Sequence, residues 1–125
     1  MPLVSICIPV YNTENVLSRC LNSVAAQSFC DFEIIILNDC SFGVDGDGRN
    51  CKKIVHQFKK RIKNRVEYIV HKKNEGIVTT RRDMIYAARG KYIFMLDSDD
   101  FIDKDALLEL TKPILNCDSK NLPDI

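Results

Sequence analysis

Asp97, Ser98, Asp99 and Asp100 stand together directly after the apolar run Tyr92-Ile93-Phe94-Met95-Leu96. Carboxylates crowded this closely repel one another unless a cation or an outward turn of the chain separates them. A divalent metal bridging a diphosphate would do so, because hard cations take oxygen ligands and are often completed by substrate phosphates. The apolar run reads as a buried strand that delivers the acids to its own carboxyl end, and open α/β sheets bind ligands outside that edge. The bland alternative is a solvated acidic turn in which Asp103 or Asp105 caps the next helix.

The elements that must position this tetrad alternate strand and helix four times. Leu3 to Ile8 is the first strand, apolar enough to be buried on both faces. Thr13 can cap a helix whose Val16, Leu17, Cys20, Leu21, Val24 and Ala25 form one apolar stripe at 3.6 spacing. Phe32 to Leu37 is the second strand, followed by a polar loop from Asn38 to Arg49. The next helix carries Ile54, Val55, Phe58 and Ile62, and Val66 to Val70 is the third strand. Gly76 leads into a third helix that ends near Gly90, read as a C′ glycine. Lys91 to Leu96 is the fourth strand. A last helix starts at Asp103 or Lys104, runs through Leu107, Leu108 and Leu110, and is interrupted or ended near Pro113. Such alternation predicts a mostly parallel sheet wrapped by helices.

A chain of 125 residues with 46% hydrophobic and 28% charged residues holds at most one globular domain. Its net charge of +1 gives no general attraction to nucleic acid. Lys52, Lys53, Lys59, Lys60, Arg61, Lys63, Arg65, Lys72 and Lys73 crowd the middle. They read as a solvated face, with peripheral membrane association as the sharper alternative. None of Cys7, Cys20, Cys30, Cys40, Cys51 and Cys117 forms a C-x-x-C pair, so structural zinc is excluded and the thiols read as reduced core filler. With neither a secretory leader nor a membrane span, the expected location is cytoplasmic, with the inner face of the membrane as an option.

The first glycine is Gly43, which excludes the glycine-rich turn of a dinucleotide fold and a P-loop, both of which follow the first strand. An aspartyl phosphatase would carry acids where this chain has Pro9-Val10-Tyr11-Asn12. Gly43-Val44-Asp45-Gly46-Asp47-Gly48 lacks the ligand series of a calcium loop and reads as a mobile loop. What remains is a site built from several loops on one sheet edge: 9–12, 38–39, 74–81 and 97–100.

Taken together, those loops resemble a known family. Val4-Ser5-Ile6-Cys7-Ile8-Pro9-Val10-Tyr11-Asn12, Glu33-Ile34-Ile35-Ile36-Leu37-Asn38-Asp39-Cys40-Ser41, Asn74-Glu75-Gly76 with Arg81, and Gly90-Lys91-Tyr92-Ile93-Phe94-Met95-Leu96-Asp97-Ser98-Asp99-Asp100 resemble, in order, the motifs of family-2 inverting glycosyltransferases. The resemblance implies a GT-A (Rossmann-like) α/β/α sandwich, with residues 1–125 forming its N-terminal, nucleotide-diphospho-sugar-binding part. It implies that Pro9, Tyr11 and Asn12 lie along the base and that Asp39 accepts a base N–H. Asn74 and Gly76 would form the turn under the nucleotide, and Arg81 would reach the base, a phosphate or the tetrad. Asp97 and Ser98 would meet the donor. Asp99, with Asp97 and Asp100, would hold Mn²⁺ or Mg²⁺ in a DXD-type motif, Asp100 supporting the metal or reaching toward the sugar. Two positions depart from the family pattern: Cys40 replaces a usual glycine, and Arg82 replaces a common Asn.

The implied reaction transfers a sugar from a nucleotide-diphospho-sugar, a UDP-sugar first, to the hydroxyl of a saccharide or lipid-linked acceptor, with inversion. That attack needs a general base, which the family carries beyond the tetrad, so the isolated chain is expected to bind donor without transferring it and to self-associate as a homo-oligomer. The alternatives are a nucleotide-sugar-binding module without transfer activity and a sugar nucleotidyltransferase. The latter usually needs the N-terminal glycine-rich loop that is absent here.

Overall fold

A computed structural model describes residues 1–115 of the chain. The elements are β1 (Val4–Val10), α1 (Glu14–Ala25), β2 (Phe32–Asn38), α2 (Cys51–Lys59), β3 (Val66–Val70), α3 (Gly76–Ala87), β4 (Tyr92–Met95) and α4 (Ala106–Leu115). All strand pairs are parallel, in the order β3-β2-β1-β4. Helical crossovers make the parallel pairing possible, since each strand must be re-entered from the same end. The order reverses at β1: the chain first builds outward through β2 and β3, then returns to place β4 on the other side.

Side chains alternate across the two central strands as the period of two requires. Val4, Ile6, Ile8 and Val10 of β1 and Phe32, Ile34 and Ile36 of β2 pack on one face with Leu17, Leu21 and Val24 of α1, Ile54 and Phe58 of α2, and Leu107 of α4. Cys7, Ile35 and Leu37 face the other way, onto Met84 of α3. Full burial of an aliphatic or aromatic side chain contributes about 1.5–3 kcal/mol, so this layered core holds the sheet edge rigid. The expectation that the first strand is buried on both faces is therefore correct, and β2 is buried along its whole length as well. β3 and β4 lie at the sheet edges and are mostly half-buried.

One charge sits inside this core. Glu33, 1% exposed, accepts from Ser5 Oγ and from the Arg89 backbone N–H, and pairs with Arg65 at 2.6 Å. Burial alone would raise its pKa, but these donors outweigh it and hold the carboxyl below its ordinary range. Arg65, a third exposed, thus pairs with a buried carboxylate and is not a purely solvated member of the basic face. The same cluster explains Gly90, whose N–H donates to Ser5 Oγ at 2.8 Å. A Cβ there would stand 2.6 Å from the Ser5 backbone nitrogen. Gly90 serves close approach of the α3–β4 turn to β1, rather than acting as the C′ glycine of α3, whose C-cap is Ala88.

Several local expectations are corrected. Thr13 stands at the N-cap of α1 but caps nothing, because its hydroxyl pairs with Ser98 Oγ at 2.5 Å. The last helix begins only at Ala106. Residues before it are drawn onto the end of α1, where Gln27 Nε2 donates to the Asp103 carbonyl at 2.6 Å and Gln27 Oε1 accepts from Leu107 N at 3.1 Å. Pro113 lies inside α4, which continues to Leu115. The glycine-rich loop is tied: Asp45 Oδ1 accepts from Asp47 N and Arg49 N, and the Arg49 side chain closes onto Asp45 at 2.7 Å. Cys7, Cys20 and Cys51 are buried and free, whereas Cys30 is exposed and Cys40 half-buried. Cys117 lies outside the described residues. Among those residues, no helix is long and apolar enough to cross a membrane.

Candidate functional site

Parallel strands end at the same edge, so the turns after all four converge there. Between them lies a cleft of about 440 Å³, lined by Pro9, Val10, Tyr11, Thr13, Asp39, Asn74, Gly76, Ile77, Thr80, Asp97, Ser98 and Asp99. It opens beside β1, where the strand order reverses, the place at which open α/β sheets bind ligands. Of the expected residues, Pro9, Tyr11, Asp39, Asn74, Gly76, Asp97, Ser98 and Asp99 share this cleft. Asn12, Arg81 and Asp100 are not among its lining residues. Asn12 adopts a left-handed φ of 57° and donates its N–H to Ser41 Oγ at 2.9 Å, which shapes the β1–α1 turn. Arg81 is exposed on α3.

The acidic tetrad turns out of β4 and is held from behind by α1. Arg19 donates to the Asp99 carbonyl at 3.0 Å and lies 4.7 Å from the Phe101 ring centroid. Ser98 is buried against Thr13, while Asp97, Asp99 and Asp100 stay exposed. These three carboxylates bring ligand oxygens within 4.8 Å of one another. Their field reaches Cys20 beneath them. Burial first, then the charges of Asp100 and Asp99, push that thiol up to about 12, so it remains protonated and donates to the Asp97 carbonyl at 3.8 Å. A set of hard oxygen donors with excess negative charge fits Mg²⁺ or Mn²⁺.

Asp39 occupies the opposite wall. It is 5% exposed and accepts from Glu75 N at 2.9 Å and Gly76 N at 3.1 Å, while its Oδ1 also lies 2.8 Å from His71 Nδ1. Burial opposes its charge, but the Glu75 amide, His71 and the Gly76 amide outweigh that cost and hold the carboxyl below its ordinary range. An ionised carboxylate has about four acceptor positions; three are used, and one on Oδ2 remains for a ligand. Gly76 has φ +85°, a conformation that favours glycine, and it starts α3 directly under the cleft. The departure at Cys40 also has a conformational meaning. Its φ is 56°, so this chain places a non-glycine residue where a glycine would be unstrained.

Sequence reasoning missed His71, Thr80 and Glu14. His71 bridges Asp39 and Asp83, with both ring nitrogens 2.8 Å from a carboxylate oxygen. Its only sequence signal was an imidazole directly after an apolar strand. Thr80, 1% exposed, has a hydroxyl without a hydrogen-bond partner among the described residues. Glu14 is buried at the start of α1 and accepts from Ser41 Oγ, joining the turns after β1 and β2. Neither Thr80 nor Glu14 stood out in sequence, because burial at a helix start depends on what packs against it.

A family model described as "Glycosyl transferase family 2" matches residues 5–119. The chain is 39% identical over 107 residues to the poly(ribitol-phosphate) beta-glucosyltransferase of Bacillus spizizenii, covering 84% of this chain and 16% of that protein. Among solved structures, S. aureus TarS residues 1–349 in complex with UDP-GlcNAc superposes with a TM-score of 0.76 at 27% identity, over 87% of this chain and 30% of that one. The mannosyltransferase PcManGT from Pyrobaculum calidifontis, in complex with GDP-Man and Mn²⁺, shares the fold at a TM-score of 0.69 and 16% identity, over 80% of this chain and 28% of that one. The chain spans 28%, 15% and 30% of the length of three further bacterial glycosyltransferases that it matches. The GT-A α/β/α arrangement expected from the motifs is the arrangement found.

Proposed function

This chain belongs to glycosyl transferase family 2, and on that premise we propose that it is the donor-binding part of an inverting, metal-assisted glycosyltransferase. The donor in this reading is a nucleotide-diphospho-sugar, first of all a UDP-hexose or UDP-N-acetylhexosamine, and the acceptor is a saccharide or lipid-linked hydroxyl. The observation that carries it is the meeting of two differently equipped walls in one cleft. A cluster of exposed carboxylates stands after β4, and a buried, hydrogen-bonded carboxylate stands after β2. UDP-GlcNAc in the complex of the related TarS supports the choice of donor.

Each group then has a task. Pro9 and Tyr11 offer an apolar wall for the base, and the remaining position on Asp39 Oδ2 accepts a base N–H. The unpartnered Thr80 hydroxyl and the Asn74 amide add polar groups to the same wall. Asp97 meets the ribose. Asp99, with Asp97 and Asp100, would hold Mn²⁺ or Mg²⁺, and a bound ion of that kind offsets the charge of a departing nucleoside diphosphate. Arg81, exposed on α3, is the cation this reading assigns to phosphate. Attack by a hydroxyl needs a general base. The tetrad is committed to the ion and Asp39 to its turn, so this reading assigns the base and the acceptor site to sequence beyond the donor-binding part.

Calorimetry with UDP tests the reading. Mn²⁺ should tighten binding by about tenfold or more, equivalent to about 1.4 kcal/mol, and Asp99→Asn should remove that gain. Equal affinity in Mn²⁺ and in EDTA refutes the metal assignment, and no UDP binding under either condition refutes the donor site.

A further inference from the structure

His71 follows β3 and is 8% exposed, yet it faces carboxylates on both sides. Nδ1 lies 2.8 Å from Asp39 Oδ1, and Nε2 lies 2.8 Å from Asp83 Oδ2 and 3.5 Å from Glu75 Oε2. A neutral imidazole donates from one nitrogen and presents a lone pair at the other. The neutral ring would therefore point a lone pair at an acidic oxygen, whichever tautomer it adopted. The imidazolium donates on both sides and has no such conflict. Burial by itself favours the neutral ring. The bonds to Asp39 and Asp83 and the charges of Glu75 and Asp39 outweigh burial and raise the pKa above the ordinary histidine range.

The charged groups facing the ring come from three elements: Asp39 after β2, Glu75 in the turn before α3, and Asp83 on α3. Arg82 moderates the last of these, donating to Asp83 Oδ1 at 3.3 Å. The ring's own backbone is fixed, since His71 N donates to the Asn38 carbonyl at 2.9 Å. A continuous series of bonds thus runs from Asp83 through His71 to Asp39, and from Asp39 to the amides of Glu75 and Gly76 at the cleft.

We propose that protonated His71 is a positioning residue of the donor cleft: bridging Asp83 and Asp39, it locks the carboxylate that holds the Glu75–Gly76 turn beneath the nucleotide. Its link to nucleotide rests on the donor-binding reading above, whereas the clamp itself is a property of the ligand-free chain. His71 does not touch the donor in this assignment. It acts through Asp39, and the acidity of the medium sets how firmly.

The sign follows from the raised pKa. The clamp is fully formed below the ordinary histidine value near 6.5 and is lost as pH rises through the higher value in the folded chain. Nitrogen-15 NMR of the 125-residue chain should show both His71 ring nitrogens protonated at pH 7 and a titration above the ordinary range. The Kd for UDP should be flat at lower pH and weaken by about tenfold through that titration. His71→Gln should weaken UDP binding by a similar factor, remove the pH dependence, and speed hydrogen exchange at the Glu75 and Gly76 amides. A neutral His71 at pH 7, or unchanged exchange at those amides in His71→Gln, overturns the proposal. The titration of the wild-type chain decides it if the variant does not fold. If the amides respond but the wild-type chain binds no UDP at any pH, the clamp stands and the donor-site reading falls.

Discussion

Asp39→Asn probes the centre of the site, because it keeps the side-chain volume and removes the charge. The carboxylate holds three partners, Glu75 N at 2.9 Å, Gly76 N at 3.1 Å and His71 Nδ1 at 2.8 Å. An amide supplies one acceptor oxygen and turns an NH₂ group toward whatever faced the other. At least one buried N–H is then set against a donor, and the His71 imidazolium loses one of the three carboxylates that face it. Hydrogen bonds to charged groups contribute about 1.5–3 kcal/mol each, but these bonds share one carboxylate and do not add. Breaking one side of a buried ion pair sets the scale, about 3–5 kcal/mol. For a chain of this size that lowers Tm by roughly 10–20 °C, measurable by circular dichroism. Below the new transition, UDP affinity should fall about 10- to 100-fold as the turn relaxes. Preference among nucleoside diphosphates should flatten, while the Mn²⁺ response persists, because the tetrad is carried by β4. A variant within about 1 kcal/mol of wild type in urea unfolding, with unchanged UDP affinity, refutes the reasoning. Loss of the metal response with base preference intact would show that the two walls have been assigned in the wrong order.

Gly90→Ala places a Cβ 2.6 Å from Ser5 N and 2.8 Å from Val4 C, both backbone atoms. The turn must shift, and chemical denaturation should report a loss of about 2–4 kcal/mol; a neutral result contradicts the packing described. Arg65→Leu leaves Glu33 buried without its cation and should cost roughly 2–3 kcal/mol at pH 7, below the buried-pair range of about 3–5 kcal/mol because Arg65 is a third exposed. The depressed Glu33 pKa contributes stability above its unfolded value, near 4.3, that disappears as pH falls through the folded value. Acid unfolding of Arg65→Leu should accordingly begin at higher pH than in wild type, and coincident acid transitions would count against the pair. The 125-residue chain should bind donor yet transfer no sugar in a radiolabel assay, and should self-associate in light scattering through the exposed Ile77, Val78, Ile85 and Tyr86. Measurable transfer, or a strict monomer, counts against the respective claim.

The element order was legible in sequence because hydrophobic period is local: β1 and β2 are short, predominantly apolar runs, and α1 and α2 each carry one stripe. The tetrad was legible for the same reason, since its acids adjoin one another along the chain. Arrangements that depend on distant segments were not. Gly90 resembled a helix terminator, and only its approach to Ser5, 85 residues away, reveals why no side chain is tolerated there. The start of α4 was misplaced because Gln27 draws residues 103–107 onto α1. Asp39 was expected at the cleft and lines it, but its partners lie 32 to 37 positions away, so nothing local showed that three of its acceptor positions were already taken. His71 was not expected at the site. A lone histidine after a strand carries no pattern, and its charge is decided by carboxylates that only the packing of β2, β3 and α3 brings to both sides of the ring.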